Sequence, residues 1–306
     1  MGFFLVWLIH EILTGLSIKL AKIFGSDMMK LYQLERGGEG MEQRNKLFFY
    51  YIKDEETDEK VSRLKRIAAG NGFEIVENGK DANSIVSVGG DGTFLQAVRK
   101  NNFRQDALFV GISREGESSL YCDFNLDNFN EMLRSLMHEE LEVRRFPVIK
   151  AKINDEPAFY CLNEVSIRST IVKTIVIDVL IDDRYFETFR GDGLIVSTPT
   201  GSTAYNKSAN GAVIDPLIPS YQVTEVASLN NNQYRTLGSS FVLHHTRKLT
   251  LNVQQTGNDH PIISLDNEAH PIRRIQSLQV EMDGSVVKTV KLKNNSFWDR
   301  VRRAFL

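Results

Sequence analysis

Cysteine is nearly missing: Cys122 and Cys161 are the only two in 306 residues, too few for a disulfide framework and in no zinc-type spacing. Proline (7) and glycine (21) are sparse against 42% hydrophobic residues, which excludes collagen-like and disordered chains. Charge of one sign is also lacking. With 37 basic and 39 acidic residues the net charge is −2, so there is no electrostatic case for nucleic acid or an anionic membrane. Catalytic motifs of the commonest hydrolases are absent. The six histidines (10, 138, 244, 245, 260 and 270) form no H-E-x-x-H pair, and no G-x-S-x-G elbow supports acyl transfer. His244-His245 reads as structural or solvent-facing.

A long hydrophobic run is missing as well. Phe3 to Ile9 is apolar, but His10, Glu11, Lys19 and Lys22 interrupt the stretch well short of the about 20 residues a membrane span needs. No positive charge precedes the run and no small-residue cleavage site follows it, so a secretory signal does not fit. Residues 1–43 therefore read as an extension, ending in the Arg36-Gly37-Gly38-Glu39-Gly40 linker. Three readings stay open for it: an upstream start with Met28, Met29 or Met41 as the biological one, a peripheral amphipathic helix, or a helix docked on the body. The chain as a whole reads as a reduced, cytosolic protein without stable membrane insertion.

What is present is a change of period along the chain. Lys46 to Ile52, Phe73 to Val76, Ile85 to Val88 and Leu108 to Ile112 are short apolar runs. Between and after them, Asp58 to Ala69, a stretch from Thr93, and Phe129 to Leu136 carry helical spacing. Strands alternating with helices predict an open parallel α/β sheet, Rossmann-like, over residues 44–140. After Glu140 the texture becomes β-rich: Val148 to Ile153, Val165 to Arg168, Ile175 to Ile181, Tyr185 to Phe189, Leu194 to Ser197 and Leu249 to Val253 read as strands, with a turn at Asp182-Asp183. Residues 141–272 are predicted to form a β-sandwich-like domain. Residues 273–306 form a last segment ending in an amphipathic helix at 297–306, read as a docking helix with a solvated basic face.

Three stretches carry candidate chemistry. Val88-Gly89-Gly90-Asp91-Gly92-Thr93 lies between a predicted strand and a predicted helix, where glycines let the backbone approach a phosphate and helix N–H groups favour an anion. An acidic residue inside such a loop is costly unless it holds a metal or takes a proton. No Gly-Lys-Ser/Thr follows, so this is not a Walker A loop, and Leu95 stands where a dinucleotide fingerprint needs its third glycine. Asn163-Glu164 pairs an amide with a carboxylate, suited to sugar hydroxyls. The densest stretch runs from Gly191-Asp192-Gly193 through Ser197-Thr198-Pro199-Thr200-Gly201-Ser202-Thr203-Ala204-Tyr205-Asn206-Lys207-Ser208. Its small hydroxyls and one aromatic ring suit a nucleoside, and Ser202 is placed to cap a helix from 202 to 210. Read without context, all three also fit ordinary capped turns and a strand-edge polar pair.

At these residues the chain, from about Arg44 onward, resembles the bacterial NAD kinase family. The resemblance implies ATP-dependent phosphorylation of the 2′-hydroxyl on the adenosine ribose of NAD. It also implies a divalent metal such as magnesium, self-association, and a C-terminal segment that returns to the first domain. In those terms Asp91 matches the general base, with Gly89, Gly90 and Gly92 beside it. Asn163, Glu164, Arg190, Asp192, Thr200, Thr203, Ala204, Tyr205, Asn206, Lys207 and Ser208 match dinucleotide- or nucleotide-binding positions. Two stretches depart from the family. Ser113 to Tyr121 replaces the usual Asn/His-Thr-Gly-x-Leu-Gly-Phe, leaving Leu120 or Tyr121 nearest the lost phenylalanine, and Asp266-Asn267-Glu268 replaces Asp-Gly-Gln. A lipid kinase sharing the glycine loop and a non-catalytic dinucleotide sensor are the alternatives these residues leave open.

Overall fold

In the computed structural model, residues 45–70, 72–114, 119–126, 141–254, 261–266, 268–270, 274–293 and 295–306 are described. The extension 1–43 and the expected helix at Phe129 to Leu136 lie outside them. Two compact units divide the chain: residues 1–145 with 287–306, and residues 146–286.

The first unit begins with β1 (Lys46–Tyr51) and α1 (Glu55–Gly70). The helix starts three residues before the apolar pattern does, because Asp54 caps it: its carboxylate accepts the Thr57 N–H at 2.9 Å. Then come β2 (Glu74–Ile75), β3 (Ser84–Val88), α2 (Asp91–Lys100), β4 (Leu108–Ser113), β5 (Phe124–Asn125) and β6 (Leu141–Pro147). β3 and β4 are buried along their whole length, as central parallel strands must be.

The second unit holds β7 (Ile149–Ile153), β8 (Phe159–Cys161), β9 (Glu164–Arg168), β10 (Ile175–Ile181), β11 (Arg184–Gly191) and β12 (Gly193–Ser197). β13 (Ser220–Val226), β14 (Phe241–His244), β15 (Leu249–Val253), β16 (Ile262–Leu265), β17 (Glu268–His270) and β18 (Ser277–Glu281) follow. They form two six-stranded sheets, ordered β11-β10-β15-β18-β7-β8 and β14-β13-β12-β9-β16-β17. One apolar core joins their inner faces, with Ile153, Ile177, Leu251 and Leu278 from the first sheet and Val165, Leu194, Tyr221 and Ile263 from the second. The β10–β11 hairpin turns at Asp182 and Asp183, both at positive φ (51° and 62°), the pair of left-handed residues that matches strand twist.

β19 (Val286–Leu292) and α4 (Phe297–Phe305) complete the chain. β19 pairs in parallel with β4, so the tail closes the first unit's sheet, ordered β2-β1-β3-β4-β19-β6, with β5 also on β4. The helix is capped by Ser296, which accepts the Asp299 N–H at 3.1 Å. Its basic face is divided. Arg302 and Arg303 are exposed, but Arg300 is buried, donating to the Asn295 carbonyl at 2.6 Å and approaching Asp123 at 3.5 Å.

Candidate active site

The glycine loop sits where parallel α/β sheets bind ligands. β1 lies between β2 and β3, both parallel to it, so the connections run to opposite sides from there, and a cleft of about 280 Å³ opens at the strand ends. Ile52, Val88, Gly89, Gly90, Thr93, Ser113 and Arg114 are among its lining residues. The helix begins at Asp91, two residues earlier than its apolar pattern suggests, because Gly90 takes an extended N-cap conformation and its carbonyl accepts the Phe94 N–H. Asp91 thus occupies the first turn, where the helix dipole favours a carboxylate.

The loop's glycines serve different ends. Gly89 has φ +152°, and a Cβ there would lie 2.3 Å from the Thr93 hydroxyl, so the fold itself requires glycine. Gly90 and Gly92 lack that constraint: φ is ordinary and a Cβ would meet nothing within 4 Å among the described residues.

Asp91 is half-buried and well supplied with donors. Oδ1 accepts the Tyr121 N–H at 2.8 Å and the Ser119 hydroxyl; Oδ2 accepts the Leu120 N–H at 2.9 Å. All three come from the altered Ser113 to Tyr121 segment, which therefore still serves the carboxylate. Tyr121 turns into the core, so Leu120, half-exposed, is the residue left facing outward.

In the second unit, Asn163-Glu164 and the hydroxyl-rich turn are built together. β9 and β12 pair Glu164 with Ser197, and the Thr198 N–H donates to the Asn163 carbonyl at 2.8 Å. Thr198 Oγ1 donates to the Leu162 carbonyl and accepts the Gly201 N–H. A Cβ on Gly201 would lie 2.1 Å from the Asn163 oxygen, so only glycine admits this approach. Asp266 organises the other side: its carboxylate accepts the N–H groups of Leu162, Asn163 and Glu164 at 2.7, 2.6 and 3.2 Å. That buried negative charge and, above all, burial itself push the Glu164 carboxyl up to about 8. Glu164 Oε2 and Thr200 Oγ1 are buried with no hydrogen-bond partner among the described residues. Orphaned polar atoms of this kind are what a bound hydroxyl-bearing ligand satisfies.

The remaining candidates sort by exposure. Asp192 is exposed between Gly191 and Gly193, where a Cβ would lie 2.8 Å from the Ala227 carbonyl and 2.3 Å from the Ile167 carbonyl, respectively. Ala204 and Tyr205 are half-exposed, with the Arg168 guanidinium 5.3 Å from the tyrosine ring centre; Lys207 and Ser208 are exposed. Arg190 lies 4.3 Å over the Tyr234 ring. Asn206 is turned inward: it donates to the carbonyls of Ser202 and Ala212 and accepts from Thr224, spending its side chain on the turn. The expected helix from 202 to 210 is a 3₁₀ turn (Thr200–Thr203) and one α-turn, α3 (Tyr205–Ser208). Ser202 does not cap α3; its hydroxyl is buried, donating to the Pro199 carbonyl and accepting the Ile214 N–H. Ser119 and Asp266 lie in the two stretches that depart from the family, but their roles are not legible in sequence, because they depend on partners far along the chain.

Known proteins match this arrangement. The chain is 69% identical over 266 residues to "NAD kinase 2" of Oceanobacillus iheyensis, covering 87% of this chain and all of that protein. It is 57% identical over 265 residues to "NAD kinase 2" of Bacillus subtilis, covering 87% and 99%. The chain belongs to the NAD kinase family. The family profile described as the ATP-NAD kinase C-terminal domain matches residues 162–292. Two solved structures share the fold: yeast NADH kinase complexed with NADH (TM-score 0.67, 16% identity, 84% of this chain and 86% of that one), and an NAD kinase from Archaeoglobus fulgidus in complex with ATP (TM-score 0.65, 24% identity, 84% and 99%). Membership of this family removes the lipid-kinase alternative.

Proposed function

We propose that this NAD kinase-family enzyme transfers the γ-phosphoryl group of ATP to the 2′-hydroxyl of the adenosine ribose of NAD, giving NADP and ADP, with Asp91 as general base. A ribose hydroxyl is a weak nucleophile at neutral pH, so its proton must be accepted as the bond to phosphorus forms. The observation that carries this reading is the Asp91 carboxylate, half-open beside Gly90 and Gly92, where among the described residues a Cβ would meet no neighbour within 4 Å. The cleft over Gly89 and Gly90 suits the phosphates of ATP, whose oxygens would meet backbone N–H groups at a helix start.

Asn163, Glu164, Thr200, Tyr205 and Asp192 are assigned to the dinucleotide. The neutral form of Glu164, favoured by burial, can both donate to and accept from a sugar hydroxyl. Among the described residues no three His, Cys, Asp or Glu side chains gather as a ligand set. A magnesium ion is accordingly assigned to the substrate phosphates, whose charge it would neutralise. Asn206 acts through the turn it braces.

Self-association and a cytoplasmic location complete the proposal. No described helix is long and apolar enough to cross a membrane. Phe186 and Val242 are exposed apolar side chains that a second copy would cover. The deciding experiment is incubation with ATP, magnesium and NAD, following NADP. Tight NAD binding with no NADP formed under any donor would replace the enzyme by a sensor.

A further inference from the structure

Two of the three donors that hold Asp91, the Tyr121 N–H and the Ser119 hydroxyl, trace back to one buried cation. The Leu120 carbonyl and the Tyr121 N–H are opposite ends of one peptide unit; the Tyr121 carbonyl and the Cys122 N–H are opposite ends of the next. Lys291 Nζ donates to both carbonyls, at 2.6 Å to Tyr121 and 3.4 Å to Leu120. At the far end of the first unit, the Tyr121 N–H donates to Asp91. At the far end of the second, the Cys122 N–H donates to Ser119 Oγ at 2.8 Å, which fills a lone pair of that oxygen and turns its proton toward Asp91. Two hydrogen-bonded relays therefore run from one ammonium group to one carboxylate.

The cation is fixed in place. Lys291 lies on β19 and is wholly buried, paired with the equally buried Asp123 at 3.1 Å. Asp123 also accepts the Leu292 N–H at 2.9 Å and faces Arg300 of α4 at 3.5 Å. Among the described residues, the other charged or titratable groups around the cluster include Cys122 next to Asp91, Arg144 and Arg303 near Arg300, and Glu142 paired with Arg144. Burial pushes the Cys122 thiol up to about 12, which leaves it neutral.

We propose that Lys291 is a positioning residue for phosphoryl transfer, orienting and polarising donors that hold the Asp91 carboxylate aimed. The need is electrostatic. ATP and NAD bring phosphate charge, which repels a nearby carboxylate; donors fixed on its oxygens hold it in place. A positive charge at the carbonyl end of a peptide strengthens the hydrogen bond at its N–H end. The inference rests on Asp91 being the base, and its test separates the two claims.

The test is single-turnover phosphorylation by the full chain, beside NAD affinity from titration calorimetry. Lys291→Gln combined with Asp123→Asn removes one positive and one negative charge together, so the long-range field at Asp91 changes little while the relay loses its cation. Single-turnover phosphorylation is expected to fall about tenfold, with NAD affinity kept within about twofold. Ser119→Ala, which leaves every charge in place, is expected to lower it by about the same factor, and Ser119→Thr to restore most of the rate. A brace that serves folding alone would lower the melting temperature and leave the single-turnover rate at the wild-type value, and that result in the folded double variant overturns the proposal. If the double variant does not fold, an unchanged single-turnover rate in Ser119→Ala overturns it, because the relay through Tyr121 and Cys122 ends on that hydroxyl. Unimpaired turnover by Asp91→Asn would instead dismiss the base assignment, whatever these variants show.

Discussion

Tyr121 lies flat on Phe94, with ring centres 5.0 Å apart and planes only 3° from parallel. Phe94 is on the first turns of α2, three residues beyond Asp91, so the stack ties the altered segment to the helix that carries Asp91. Tyr121 is thereby spent on the core, and Leu120 beside it is left half-exposed. Tyr121→Ala should therefore lower stability by about 3–5 kcal/mol, as large-to-small aromatic changes in cores do. Leu120→Ala should melt near the wild-type temperature and show its effect in the KM for NAD. Calorimetry beside steady-state kinetics separates the two.

If Asp91 is the base and other residues hold the dinucleotide, removing its carboxylate spares binding. Asp91→Asn is expected to keep NAD affinity within about twofold and cut single-turnover phosphorylation by about 10²- to 10⁴-fold. Unchanged single-turnover chemistry would take Asp91 out of the mechanism.

Glycines at two positions should fail in opposite ways. Gly90→Ala adds a methyl group that meets no atom of the described residues within 4 Å, so the chain should fold normally and lose affinity for ATP. Gly201→Ala drives a methyl group into the Asn163 carbonyl, so it should lower the melting temperature and NAD affinity together. Thermal melts with and without each nucleotide read both.

Glu164 makes a pH prediction with a definite sign. Its carboxyl is raised from 4.5 to about 8 in the fold, so between those values the folded chain holds a proton that the unfolded chain has released. Stability contributed by this group is present below about pH 4.5 and is lost as pH rises toward 8. Glu164→Gln, neutral throughout, should flatten the fall in melting temperature between pH 5 and 9. An equally steep fall in the variant would assign the pH dependence to another group.

Tyr205 is half-exposed on α3, with Arg168 near its ring. If the ring packs on the dinucleotide, Tyr205→Ala weakens NAD binding more than Tyr205→Phe does. Equal losses, measured by titration calorimetry, would point to the hydroxyl.

The amino-acid order alone determined the parts whose physics is local. Apolar periodicity marked β1, β3, β4, β10 and β15; turn chemistry marked Asp182-Asp183; and the glycine loop and the hydroxyl-rich block stand out because several special residues are adjacent. Burial pattern also separated an α/β half from a β-rich half, since two-residue and helical repeats need only a few neighbouring positions to be read. Contacts across the chain decided the rest. Ser119 reaches Asp91 from 28 positions away, Asp266 reaches Asn163 across 103, and Lys291 reaches the Tyr121 carbonyl across 170. Nothing in a lysine or an aspartate by itself says that it will be buried, and burial is what turns Lys291 and Asp266 from solvated side chains into strong electrostatic neighbours. Parallel pairing of β19 with β4, which forms only when the chain folds back on itself, is what buries Lys291.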